Sequence, residues 1–159
     1  MRSTKPILIN LCRGTPLDLK LADAKKIIEA ALAAQAKNKF KPMAVVVVGA
    51  RGTIIATECQ DGTSLLRPKI AHGKAFGAIS LGVGSRVLFE RAKVEPFFVQ
   101  AANALCDGAL VPVPGGVLVK DSDGNTLGAV GVTGDVSDAD EVCAVAGIEA
   151  AGFKADTGG

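Results

Sequence analysis

The chain has 159 residues, of which 48% are hydrophobic and 21% charged, and its net charge is +2. This length is typical of one domain with a hydrophobic core, and the hydrophobic fraction excludes a disordered chain. The sequence has neither a dense Lys/Arg run nor about 18 consecutive apolar residues free of charges and glycines, so nucleic acid and a membrane are not the predicted partners.

The first half of the chain predicts a helix followed by a pair of strands. Asp18 is placed to cap a helix that ends near Asn38, because apolar residues recur there at three-four spacing. The β-branched run Met43–Val48 predicts a central strand, and residues 53–60 are expected to return beside it as a meander.

Three helices are predicted after this strand pair. Pro68 favours a first helical turn, so a helix is expected over residues 67–81. Its apolar stripe consists of Ala71, Ala75, Ala78 and Ile79. Ser85 is placed to cap a short helix, and another helix is expected over residues 96–105 because it begins with a proline.

A hairpin follows at residues 115–132. Val117–Val119 and Leu127–Val132 are apolar strands, joined by the Asp- and Asn-rich turn 121–125. Gly115-Gly116 precedes the first strand, and backbone N–H groups in such a corner suit an anion or a small polar ligand. Glycines that only permit tight turns are the alternative. Residues 110–113 are a candidate for a further strand.

The last predicted element is a helix that ends near Ala150. Ser137 with Asp140 three residues later resembles a capping box at its start. The order helix, two strands, helices, two or three strands and helix favours an antiparallel sheet with helices on both faces, an α/β (α+β) fold.

Several short motifs occur in a characteristic order. PGG-V is followed by G-N-x-x-GAVGVTG and D-x-D-E-x-CAVAGIEA, with DGT at residue 61 and A-x-GKAFGAIS upstream. This order resembles the GlcG/HbpS family, which includes the C-terminal domain of PduO-type proteins. The resemblance implies a profilin-like fold with a five-stranded antiparallel sheet, and homo-oligomeric assembly. It covers residues 17–151, which leaves 1–16 as an extended arm with a candidate edge strand at Ile7–Ile9, and 152–159 as a frayed tail.

His72 is the one histidine of the chain, and it lies beside the apolar stripe of its predicted helix. A half-buried histidine there is a candidate ligand for haem iron or a candidate acid or base. Haem binders occur among the proteins that the chain resembles, and without a C-x-x-C-H motif the haem would be held non-covalently. A surface or polar-core histidine is the alternative.

A second group of residues is a candidate anion site. Lys74 lies in the segment that matches G-K-A, and an inward lysine can bind a carboxylate. Arg67 would complete the clamp, Asp61 would supply an acceptor or base, and Gly115-Gly116 would admit the ligand. A structural ion pair, for example with Asp61, is the alternative for Lys74.

These residues support two hypotheses about function. The first is a small-ligand-binding protein of the GlcG/HbpS type, with haem or a related tetrapyrrole as the ligand. The second is a small catabolic isomerase, lyase or hydrolase acting on an organic acid. In it Lys74 and Arg67 would hold the carboxylate, the two glycine N–H groups would stabilise an enolate-like oxygen, and Asp61, His72 or Glu95 would move the proton.

The cysteines are scattered at positions 12, 59, 106 and 143. This spacing excludes a zinc finger. The first eleven residues lack the apolar core of a signal peptide. We therefore expect free cysteines and a cytoplasmic protein.

Overall fold

The structure is a computed structural model, and it describes residues 18–159. The predicted arm, with its candidate strand at residues 7–9, lies outside the described residues. Helices and strands of the described part follow one another in this order: α1 (Leu21–Asn38), β1 (Ala44–Gly49), β2 (Ile54–Cys59), α2 (Arg67–Leu81), α3 (Ser85–Val94), α4 (Pro96–Leu105), β3 (Gly116–Lys120), β4 (Thr126–Thr133), α5 (Ser137–Ala150) and β5 (Lys154–Asp156).

The five strands form one antiparallel sheet in the order β2-β1-β4-β3-β5, which confirms the predicted sheet. The fifth strand comes from an unexpected place. Lys154–Asp156 pairs with Leu118–Lys120, so the prediction of a frayed tail at 152–159 was wrong. Residues 110–113 are not a strand, because Val111 donates its N–H to the Gly73 carbonyl of α2 instead of to the sheet.

The sheet separates two apolar layers. Strand β1 is buried on both faces: Val45 and Val47 face the layer of α1 and α5, whereas Val46 and Val48 face α2. This arrangement explains the continuous β-branched run, because a central strand with no solvent-facing side needs no polar alternation. Helices therefore cover both faces, as predicted. No helix in the described part of the chain has the length and apolar character needed to cross a bilayer.

Helix α2 packs unusually close to the sheet. Its small residues Ala71 and Ala75 face β4, and a Cβ atom on Gly131 would overlap the Ala71 carbonyl oxygen. A Cβ atom on Gly116 would likewise overlap the Lys74 carbonyl oxygen. The glycines in these strands therefore allow the helix backbone to lie against the sheet backbone.

The predicted side-chain caps of three helices were wrong. The N-cap of α1 is Lys20, and Asp18 accepts the N–H groups of Leu19 and Ala50 instead. Ser85 is the first residue of α3, and its hydroxyl accepts the N–H of Gly116. These oxygens connect separate segments of the chain rather than the ends of their own helices.

The start of α5 also differs from the predicted capping box. Its N-cap is Val136, and no side chain caps it. The carboxylate of Asp140 accepts the N–H of Asp135 and contacts Lys74 of α2. Asp140 thus fixes the loop before α5 and ties α5 to the helix on the opposite face of the sheet.

The three cysteines in the described residues are free thiols. Cys59 is exposed, Cys106 is half-buried and Cys143 is buried in the core between α5 and the sheet. Burial, with smaller contributions from Asp140 and Asp135, raises the pKa of Cys143 to about 11.

Candidate functional site

A cavity of about 630 Å³ opens between α2, the paired strands β1 and β2, and the loop that follows α4. Most of its wall is apolar. Strands β1 and β2 contribute Val46, Ile54 and Thr57, helix α2 contributes Pro68, Lys69, Ile70 and His72, and the loop contributes Asp107, Gly108, Ala109 and Val111. Its volume lies within the range of small-molecule and cofactor sites, roughly 300–1,000 Å³.

The loop wall of the cavity is held firmly against α2. Val111 donates its N–H to the Gly73 carbonyl at 3.1 Å, and Leu110 donates to Asn103 Oδ1 at 2.9 Å. A Cβ atom on Gly73 would lie 2.6 Å from the Ala109 carbonyl oxygen, so glycine is what allows the loop to approach this closely. The cavity is therefore a fixed feature of the fold.

His72 lies in this wall and is half-buried, as the sequence predicted. Its ring stacks on Phe76, one turn later, with the ring centres 5.4 Å apart. No side chain or backbone group of the described residues forms a hydrogen bond with either ring nitrogen. The imidazole is therefore oriented by an aromatic neighbour and is available to a ligand in the cavity.

The polar groups around His72 are few. Besides the imidazole, the cavity wall carries the Thr57 hydroxyl, the Lys69 amine and the Asp107 carboxylate. No group of three or more His, Cys, Asp or Glu side chains within residues 18–159 is arranged to hold a bare metal ion. The site suits a mostly apolar ligand that can bind the imidazole of His72.

Lys74 lies elsewhere, on the inner side of α2, with only 1% of its side chain exposed. Its Nζ atom lies 2.7 Å from Asp140 Oδ2 and donates to the Val132 carbonyl oxygen at 3.0 Å. Burial lowers the pKa of Lys74, and the Asp140 carboxylate opposes that change. The ion-pair partner is thus Asp140, and Asp61, which the sequence suggested, lies in an exposed turn.

The other groups of the predicted anion site are only partly brought together. Gly115 lies beside Lys74, since a Cβ atom there would lie 2.9 Å from the Lys74 amine. Arg67, however, donates to Thr133 Oγ1 at 3.0 Å, and the N–H of Gly116 donates to Ser85 Oγ at 2.7 Å. These groups already have protein partners in this structure.

Glu95, the remaining candidate for proton transfer, lies at the boundary of α3 and α4. Its carboxylate accepts a hydrogen bond of 2.7 Å from Arg91, four residues earlier. It does not line the cavity that contains His72. Among the sequence candidates, His72 alone belongs to that cavity.

Sequence reasoning missed Lys69 and the loop 107–111. Asp107 and Gly108 have positive φ angles of 52° and 77°, and an Asp-Gly pair is a recognisable turn signal. That signal predicts the turn but not where the turn packs. No motif in the sequence marked Lys69 as a cavity residue, and only its position three residues before His72 places it on the same side of the helix.

Comparisons with known proteins identify related folds. A family model described as "Haem degrading protein HbpS-like" matches residues 19–149. No curated protein sequence matches the chain. The crystal structure of the complex of PduOC with heme superposes with a TM-score of 0.76 at 23% identity, covering 86% of this chain and 96% of that one.

Two further solved structures are similar. A double mutant of HbpS from Streptomyces reticuli superposes with a TM-score of 0.72 at 27% identity, covering 94% of this chain and 96% of that one. The Klebsiella pneumoniae protein ORFY gives a TM-score of 0.76 at 20% identity, covering 89% of this chain and 96% of that one. All three share the architecture of a helix-covered antiparallel sheet described above.

Proposed function

The chain belongs to the HbpS-like family, and from this we propose that it binds haem, or a closely related tetrapyrrole, non-covalently in the cavity lined by His72. The description of the family names a haem-degrading protein. The similar PduOC structure is a complex with heme. The observation that carries the proposal is the position of His72. The one histidine of the sequence lies in the wall of a largely apolar cavity and lacks a hydrogen-bond partner in the described part of the chain.

The residues of the cavity fit the chemistry of haem. A porphyrin has a large apolar face, which the valine, isoleucine, proline and alanine side chains of the wall would cover. Histidine imidazole is a common protein ligand of haem iron, and His72 is the residue of this wall that could supply it. Bound haem would supply redox and ligand-binding chemistry at its iron.

The protein's own contribution is binding and orientation. His72 would ligate the haem iron, and the stacked ring of Phe76 would keep the imidazole from rotating. The loop containing Ala109 and Val111, fixed to α2 by its hydrogen bond to Gly73, would cover part of the porphyrin face. Covering that face excludes water and adds affinity through apolar burial.

Titration with hemin tests the proposal. We expect a saturable Soret shift for the unaltered protein and a large loss of that shift for His72→Ala. Ser80→Ala, an exposed position on α2 outside the cavity, is the matched control and should bind normally. Circular dichroism melting would establish that both variants are folded. Absence of a saturable shift in the unaltered protein would refute haem binding, and an unchanged shift in His72→Ala would refute the role of His72.

A further inference from the structure

Lys69 occupies a distinctive position beside the cavity. It lies three residues before His72 on α2, so both side chains project from the same side of the helix. Both line the cavity, whose remaining wall is mostly apolar. Lys69 is exposed, which places its amine where the cavity meets solvent.

The charge of Lys69 is not neutralised by the described residues. The other two basic residues of α2, Arg67 and Lys74, donate to Thr133 and to Asp140. Lys69 forms no ion pair or hydrogen bond within residues 18–159, and none joins it to Asp107, the acidic residue of the cavity wall. Its ammonium group is therefore available to a ligand.

We propose that Lys69 binds a carboxylate of the ligand, so that the site selects tetrapyrroles that carry free acid side chains over their neutral esters. The inference rests on the proposed function. An apolar cavity with one cation at its solvent boundary matches an amphipathic ligand whose body is apolar and whose edge is anionic. Asp107 also lines the cavity, and its carboxylate would repel ligand carboxylates that approach it.

The test compares hemin with hemin dimethyl ester, in which both carboxylates are masked. We expect Lys69→Ala to weaken hemin binding by about two- to fivefold, the range of an exposed charge pair. It should leave binding of the ester unchanged. Lys69→Arg should retain most of the affinity for hemin. Lys26→Ala, the same change of charge at an exposed position of α1 on the opposite face of the sheet, is the control and should bind both compounds normally.

Salt gives a second measurement. The hemin affinity of the unaltered protein should fall as ionic strength rises, and that of Lys69→Ala should fall less, because exposed charge pairs are screened. Equal weakening of hemin and ester in Lys69→Ala, or no weakening of either, would overturn the role of Lys69 while leaving haem binding intact. Failure of the unaltered protein to bind hemin at all would instead overturn the proposed function.

Discussion

At the scale of single residues, the pair formed by Lys74 and Asp140 is the least ordinary feature of the chain. Both side chains are 1% exposed, and they join α2 to α5 across the end of the sheet. Burying two charges is costly unless each has a partner, so removing either residue leaves the other as an unpaired buried charge and destabilises the fold. The same geometry makes Lys74 a poor candidate for direct contact with a free ligand, because its amine is already surrounded.

Replacing Lys74 by methionine, which keeps most of its volume, should lower the free energy of unfolding by about 3–5 kcal/mol, since it leaves the Asp140 carboxylate buried and unpaired. Urea denaturation measures the change. The double variant Lys74→Met/Asp140→Asn should be more stable than the single variant, because the asparagine oxygen still accepts the Asp135 N–H without a charge. A single variant as stable as the unaltered protein would show that the pair has no structural role.

At the scale of elements, proline and hydrophobic periodicity were sufficient to predict the bounds of α2 and α4. The bounds expected from Pro68 and Pro96, residues 67–81 and 96–105, are those of the structure. Strand β5 could not be predicted, because its three residues, Lys154–Asp156, have no apolar alternation and pair only because β3 offers a free edge. The cavity was missed for a related reason: three separate segments build it, and only their packing brings His72 opposite the 107–111 loop.

The close contact of α2 with β4 should make Gly131 intolerant of any side chain. We expect Gly131→Ala to lower the free energy of unfolding by about 1–3 kcal/mol or more, because its methyl group would push the Ala71 carbonyl away from the sheet. Thermal and urea unfolding would measure it. Gly159→Ala adds the same methyl group where its nearest neighbour is 3.5 Å away and should be neutral. A neutral Gly131→Ala would mean that α2 can retreat from the sheet at little cost.

At the scale of the whole molecule, the described surface carries several large apolar side chains. Leu65 is 91% exposed, Leu105 88%, Val94 76% and Phe97 72%. Three of these four residues lie on the consecutive helices α3 and α4, and contiguous exposed apolar area is typical of protein interaction surfaces. It supports the homo-oligomer expected from the sequence, which stays a prediction.

Multi-angle light scattering should therefore give a mass above 16.1 kDa at micromolar concentration. Phe97→Glu, which places a charge on the exposed side of α4, should shift the protein toward smaller species if that helix takes part in assembly. Ser80→Glu is a control with the same added charge at an exposed position of α2. A single monomeric species for the unaltered protein would contradict the prediction.

The strand order also has a consequence for the growing chain on the ribosome. The central strand β1 pairs with β4 as well as with its neighbour β2, and α1 packs mainly on α5, so both N-terminal elements need partners from the last third of the sequence. Lys74 leaves the ribosome 66 residues before Asp140. Until Asp140 has been synthesised, the Lys74 amine lacks the carboxylate with which it is buried in the folded domain. We therefore expect the Lys74 side of α2 to stay in contact with water in the nascent chain, and to pack against the sheet only after α5 has been synthesised.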